Sequence, residues 1–520
     1  MSFKTMILCS FILFNLSAEA KLFQILHTND THSFFDSATH DKTRGGVARL
    51  KSLIDFYKDK MRAEGVSTLT LDAGDFTEGN LYFMADAGKK SFNVHNNIGY
   101  DVVTMGNHDY LMGAKDLNEM LGEMDLNFSF LAANVTVAPH YKNIQESVAP
   151  FKELTIDGVK FGIFGVTTNE IFYTWRFSGA SFSNPIKSGL LYEDILRKRN
   201  NDVIIGLTHI GYLKDMKLAL KSKEVDLIIG GHSHTSLFKP IYVKNLKQKL
   251  VPIVQAGQHT EYLGRIIIDV EKNKPIRIVS YELVPVKYEA KDEKMNSLVD
   301  EANNDLAQLY GKDWLDTLVG TSDLKVNDRD GAKKWAFFIT DTIKEKLKAD
   351  IAIHTPEMNG ENYPIGEITR KDIINSMPRV FDLQDKFGWS IYTAKIKGIW
   401  LQMVFEALSR FGQPLTFSGI TMKYIKTPVG IKIRQVLVNG KPINPFKSYT
   451  VAFTEGVVRG AEGVSKYTTA ILRFPRKSPY RIWATLEEKL LTNKHQMDMQ
   501  SITDENRTFY QPDIELPLTE

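Results

Sequence analysis

Short apolar runs recur through the first 285 residues, and each gives way abruptly to polar residues. LFQIL (22–26), STLTL (67–71), DVVTM (101–105), FGIFGV (161–166), DVIIGL (202–207), VDLIIG (225–230) and VPIVQA (251–256) are too short for helices. Their β-branched content predicts buried strands. Between them lie stretches such as GVARLKSLIDFYKDKM (46–61), whose mixed pattern predicts amphipathic helices. Strands alternating with helices predict a layered α/β domain. Over 291–315 the pattern changes: Met295, Leu298, Val299, Ala302, Leu306, Leu309 and Tyr310 recur at helical spacing in a charged background. That stretch predicts a connecting helix. Beyond it, LKADIAIH predicts a strand and IKGIWLQMVFEALSRF a helix. IRQVLVNGKPI predicts a hairpin turning at Asn439-Gly440. The expected division is a leader at 1–20, a first domain at 21–288, a linker helix at 289–318 and a second domain at 319–520.

Composition adds limits. A chain of 520 residues with 43% apolar content can bury several cores. A formal charge of +3 does not suit a surface that coats a nucleic-acid polymer. Lys4, the apolar run Met6–Leu16 and the small residues up to Ala20 form a secretory leader pattern, with cleavage after Ala20 and a periplasmic or secreted destination. The run is too short to span a bilayer, and no other membrane-length segment follows. Cys9, the only cysteine, lies inside the leader. The mature chain would therefore have no thiol for a nucleophile, a disulfide or a thiolate metal site. No segment suggests a partner protein.

The chemistry sits at the strand ends. Asp30 and His32 follow the first run, Asp75 the second, and Asn107 and His108 the third; His209 follows DVIIGL, and His232 and His234 follow VDLIIG. In α/β sheets the carboxyl ends of strands open onto one crevice. A single histidine there is an ordinary loop residue, but five such coincidences point to one shared site. Imidazole, carboxylate and amide oxygen suit Zn, Mn, Co or Fe. A two-oxygen carboxylate can bridge two divalent ions, as two-metal hydrolysis requires. Gly74, Gly106, Gly230 and Gly231 beside these residues allow close backbone approach.

NDTH, GDFTEG, GNHD, THIG and GGHSHT, in that order over residues 29–235, resemble the metallophosphoesterase motifs of the 5′-nucleotidase family. ADIAIH, IGEITRKDI, IKG and YTVAF resemble that family's C-terminal domain more loosely. The resemblance implies a four-layer α/β/β/α sandwich with metals at its top edge, covered by a C-terminal α/β substrate domain. It implies two divalent ions: Asp30, His32 and His234 on the first, Asn107, His209 and His232 on the second, and Asp75 bridging. His108 would be the non-ligand catalytic histidine. The activity implied is hydrolysis of a small-molecule phosphate ester, by family default a 5′-nucleotide.

The chain departs from the family in two places. The family's GNHEFD carries an aspartate that orients the catalytic histidine, and here Leu111 replaces it. In the related serine/threonine phosphatases that histidine's carboxylate lies three residues after the bridging aspartate. Here that residue is Glu78, which otherwise reads as a solvated loop carboxylate. In the second domain, Arg379 and Gly456 align where the family stacks a base between two aromatic rings, and HTPEMNGENYPIGEIT replaces its NGGGIR loop. Arg379, Lys334 and Phe453 are the expected substrate contacts, with Phe381, Phe387 and Trp389 as other aromatic substitutes. These departures leave three alternatives to a nucleotide substrate: a sugar phosphate, a diphosphate or a thiosulfonate on the same machinery. A metal-holding, non-catalytic binding protein is the reading from another class.

Overall fold

The computed structural model describes residues 20–37, 43–174, 176–272, 274–287, 290–325, 331–354, 359–360, 363–378, 387–411, 415–427, 430–458, 475–492 and 496–497. The leader pattern and Arg379 lie outside these residues, as does Phe381.

Alternation along the strands builds the first domain. In Lys21–Thr28, Phe23 and Ile25 face one way and Leu26 the other. Phe23, Ile25, Leu69 and Leu71 meet Phe161, Ile163, Val203, Ile205, Leu207, Leu227 and Ile229 in a core between a seven-stranded and a six-stranded sheet. The outer face of the first sheet is covered by helices including Val47–Ala63, Lys89–Ile98 and Ala114–Glu123. Pro185–Lys198 and Tyr212–Lys221 cover the second. The result is a four-layer α/β/β/α sandwich.

The predicted strands all form, and the motif-bearing ones run parallel. Lys21–Thr28 pairs with Ser67–Asp72, which pairs with Val102–Thr104. Val203–His209 pairs with Leu227–Gly230, with Thr208 opposite Gly230. Parallel pairing brings the polar strand ends to the same edge of each sheet. The seven-stranded sheet is completed by an antiparallel pair, Tyr262–Val270 and Arg277–Pro285.

His27 lies inside this framework with no exposure, and among the described residues neither ring nitrogen has a hydrogen-bond partner. Burial pushes its pKa down from 6.5 to about 3. The unfolded chain takes up this proton below about pH 6.5, whereas the folded chain resists it until about pH 3. Stability contributed by neutral His27 is therefore present above pH 6.5 and lost as pH falls through that window. Urea unfolding of His27→Leu should show a weaker loss of stability between pH 6.5 and 4 than the parent chain; an identical pH slope would contradict this role.

The connecting helix is Glu293–Tyr310, capped by Asp292, whose side chain accepts the Met295 N–H. Met295, Val299, Ala302, Leu306 and Tyr310 are buried, and the helix packs on the first domain's helical layer. The second domain has a five-stranded sheet containing Ile351–His354, Ser448–Thr454 and Ser390–Lys397. Gly331–Lys346 and Ile482–Thr492 cover one face of it; Gly398–Phe411 and the strand pair Ile420–Thr427 and Gly430–Val438 cover the other. The chain turns at Asn439 and Gly440, with φ 47° and 78°, and continues into Lys441–Pro442. Among the described residues no helix is long and apolar enough to cross a membrane.

Candidate metal centre

The strand ends bend through unusual backbone. Asp30, His32, Asp75, Glu78, His232 and His234 all take positive φ, between 48° and 78°. Left-handed backbone is costly for such residues and collects at functional sites. Tight approach comes with it: a β-carbon on Gly74 (φ 87°) would sit 2.6 Å from the Gly106 nitrogen, and one on Gly106 would overlap Asp75 Oδ1.

These turns bring all seven expected metal ligands to one edge. Three groups have ligand atoms within 4.8 Å of one another: Asp30, His32 and His234; His32, Asp75 and His108; Asp75, His209 and His232. Asp75 Oδ2 lies 2.9 Å from His209 Nε2 and 3.9 Å from both His32 Nε2 and His108 Nε2. Asp30 Oδ1 lies 3.2 Å from His234 Nε2. Asn107 Oδ1 lies 2.8 Å from His232 Nδ1, which places Asn107 beside the third group.

Proton positions test whether these residues suit metal ions. His209 Nδ1 lies 2.7 Å from the Ala73 carbonyl, which can only accept, so Nδ1 carries the proton. Its Nε2 then faces the Asp75 carboxylate either as a second N–H or as a lone pair that shares a cation. Burial lowers the His209 pKa, but Asp75 foremost, with Asp30 and the Ala73 carbonyl, outweighs burial and lifts it to about 9. Conversely, burial raises the Asp75 carboxyl, and His209 and His108 overcome it to hold that group well below the usual range. His32 Nε2 faces His234 Nε2 at 3.1 Å, so only one of the two nitrogens can carry a proton. Burial, reinforced by His108, holds the His32 pKa well below 6.5, in the neutral form that ligates metal. Buried carboxylates among imidazoles, with no thiolate among them, fit hard or borderline divalent ions, and a cation at His209 Nε2 would take the place of the proton that Asp75 otherwise holds there.

His108 is oriented from the other side. Its Nδ1 lies 2.5 Å from Glu78 Oε2, and Glu78 is 1% exposed. Glu78 is thus no solvated loop carboxylate; burial and proximity make it the histidine's partner where Leu111 offers none. Asp109 is occupied elsewhere. Its carboxylate accepts the backbone N–H groups of Gly106, Asp75, Phe76 and Thr77 at 2.7–3.1 Å, locking two site loops together.

Further residues join the site that the strand-end reading omitted. Asn29 Nδ2 donates to Asp30 Oδ2 and to the Gly257 carbonyl, both at 2.6 Å. His259 stacks on Phe34 with ring centroids 3.7 Å apart, and its backbone N–H donates to the Asp30 carbonyl at 2.8 Å. Glu170 Oε1 lies 2.5 Å from Lys214 Nζ and 3.7 Å from His232 Nε2. Those two groups, His232 foremost, hold its carboxyl down to about 2. The Tyr173 ring lies 6.0 Å from both His108 and His232. His259 and Glu170 also follow apolar strands, VPIVQA and FGIFGV, so the signal that found the ligands was present for them too.

The expected C-terminal contacts do not gather in the same way. Phe453 is 2% exposed and packs in the core with Phe405 and Phe417, so its ring is a packing element and unavailable for stacking on a substrate. Trp389 is likewise fully buried. Lys334 lies in the first turn of Gly331–Lys346, half-buried. Phe387 is exposed beside Trp314 and Trp483.

Residues 23–236 match the calcineurin-like phosphoesterase family, and residues 317–469 match the 5′-nucleotidase C-terminal domain. Fold and site together define a metal-dependent phosphoric ester hydrolase. The chain belongs to the 5′-nucleotidase family of metallophosphoesterases, with both of its domains present. It is 27% identical to the protein UshA of Yersinia enterocolitica over 499 residues, covering 86% of each chain. It is 26% identical to the trifunctional nucleotide phosphoesterase protein YfkN of Bacillus subtilis, matching 86% of this chain and 32% of YfkN, about a third of that relative's length. The solved 5′-nucleotidase precursor of Thermus thermophilus shares the fold, with a TM-score of 0.79 at 21% identity over 93% of this chain and 98% of that one.

Proposed function

We propose that the chain is an exported two-metal phosphohydrolase acting on a 5′-nucleotide or a related phosphate monoester. One observation carries the reading: Asp75 belongs to two adjacent groups of metal-ligating atoms, the placement a bridging carboxylate needs. Asp30, His32 and His234 would hold one ion with Asp75, and Asn107, His209 and His232 would hold the other. Bound there, two divalent ions supply an activated water and positive charge for the phosphoryl oxygens. The protein's own part is orientation and proton handling. Glu78 fixes the ring of His108 through Nδ1, leaving Nε2 directed into the site toward Asp75. From there His108 stabilises the phosphoryl oxygens or protonates the leaving group. A binding protein that merely kept its metals would have no use for the Glu78–His108 pair. The leader pattern supports export, and the proposed domain limits remain 21–288, 289–318 and 319–520.

Phe453 in the core favours a second reading, in which the same centre acts on a sugar phosphate, a diphosphate or a thiosulfonate. A screen of the secreted chain against all four substrate classes with Mn, Zn, Co and Mg separates the two. The expected result is metal-dependent phosphate release with a nucleotide among the best substrates, from a protein whose N-terminus is Lys21. Turnover of sugar phosphates or thiosulfonates alone would select the second reading. No turnover with any ion would refute both.

A further inference from the structure

A short helix of the second domain, Arg370–Ser376, touches the first domain at the two loops that carry the site. Lys371 Nζ lies 3.3 Å from Asp36 Oδ2, at the end of the loop bearing Asp30 and His32. Asn375 Oδ1 accepts the backbone N–H of Leu81 at 3.0 Å, three residues beyond Glu78. The helix is fixed to its own domain at both ends. Arg370 pairs with Glu487 through Nε and Nη2, at 3.0 and 2.7 Å. At the other end the Gly360 N–H donates to the Ser376 carbonyl at 2.8 Å, and Trp483 Nε1–H donates to the Met377 carbonyl at 3.1 Å. Asn375 therefore moves with the second domain.

The receiving loop holds Glu78 between two anchors. Upstream, Asp109 holds the amides of Asp75, Phe76 and Thr77, and Thr77 Oγ1 donates to the His108 carbonyl at 2.7 Å. Downstream is Leu81, fully buried, whose N–H is satisfied by the other domain. Between them Glu78 and Gly79 both take positive φ, 56° and 90°. A β-carbon on Gly79 would sit 2.8 Å from His32 Cβ, so the loop has little room on that side. Left-handed backbone persists only where its surroundings hold it, and a buried N–H that loses its acceptor drives rearrangement.

We propose that Asn375 is a positioning residue through which the second domain sets the Glu78–His108 pair, so that the catalytic rate depends on how that domain is seated. This rests on the reading of His108 as the group that acts on the substrate. The test compares Asn375→Ala, which leaves the Leu81 N–H without its acceptor, with Asn375→Asp, which retains one. Both are measured on the full chain with p-nitrophenyl phosphate, alongside the imidazole nitrogen resonances of His108. Asn375→Ala should lower kcat about three- to tenfold at nearly constant KM. It should also move the His108 resonances, and Asn375→Asp should keep most of the rate. An unchanged kcat with unmoved resonances in Asn375→Ala overturns the proposal, even if its Tm falls. So does a change confined to KM. Glu78→Gln separates this from the underlying reading. If it cripples the enzyme while Asn375→Ala does not, only the coupling fails; if neither matters, the role of the pair itself fails.

Discussion

His108→Ala should lower kcat by about 100- to 10,000-fold while the protein keeps its metal ions. The separation follows from geometry. The backbone N–H of His108 donates to Asp75 Oδ1 at 2.7 Å, a bond that alanine keeps, so the bridging carboxylate stays in place. Only the ring is lost, and with it the Nε2 directed at the site. Glu78→Gln should show a smaller loss, about 10- to 1,000-fold, because an amide can still meet Nδ1 but carries no charge to support an imidazolium. Steady-state kinetics with elemental analysis of the same samples checks both. A Glu78→Gln enzyme at full rate would mean that His108 works unsupported.

Asp75→Asn should have the larger effect on metal. Asn tolerates left-handed backbone, so the φ of 58° at this position does not by itself endanger the fold. Its side chain offers one neutral oxygen where the carboxylate offered two charged ones. Asp75 also holds the imidazole array together: without its charge the largest lift on His209 is lost, and only Asp30, 3.9 Å from Nε2, and the Ala73 carbonyl remain against burial. Activity should fall by about a thousandfold or more, with loss of at least one ion per chain and an unchanged far-ultraviolet circular dichroism spectrum. Retention of both ions in Asp75→Asn would show that the aspartate does not bridge.

Much of the first domain was legible because its strands are short, apolar and interrupted by polar residues just where the chain leaves the sheet. DVIIGL running on to His209 and VDLIIG running on to His232 give both the strand and the ligand in one stretch. The Glu78–His108 contact was legible only through the resemblance to the serine/threonine phosphatases, whose carboxylate lies three residues after the bridging aspartate. The backbone turns that create it, with Glu78 at φ 56°, leave no mark in residue type. His259 and Glu170 carry the same strand-end signal, but their neighbours form no motif of the family. In the second domain the aromatic residues misled. Phe453 alternates with Val451 in SYTVAFT, and that period of two places both in one core. Aromatic type alone gave it a substrate role that its burial removes. The contact between Asn375 and Leu81 joins residues 294 apart and could not be read from either segment.

The count of divalent ions bound per chain tests the account most directly. After metal depletion and reloading with Mn or Zn, exhaustive dialysis and elemental analysis should find two ions per chain, with phosphoesterase activity rising as the second is taken up. A single ion at full activity, or an active chain with none, would contradict the shared Asp75 centre.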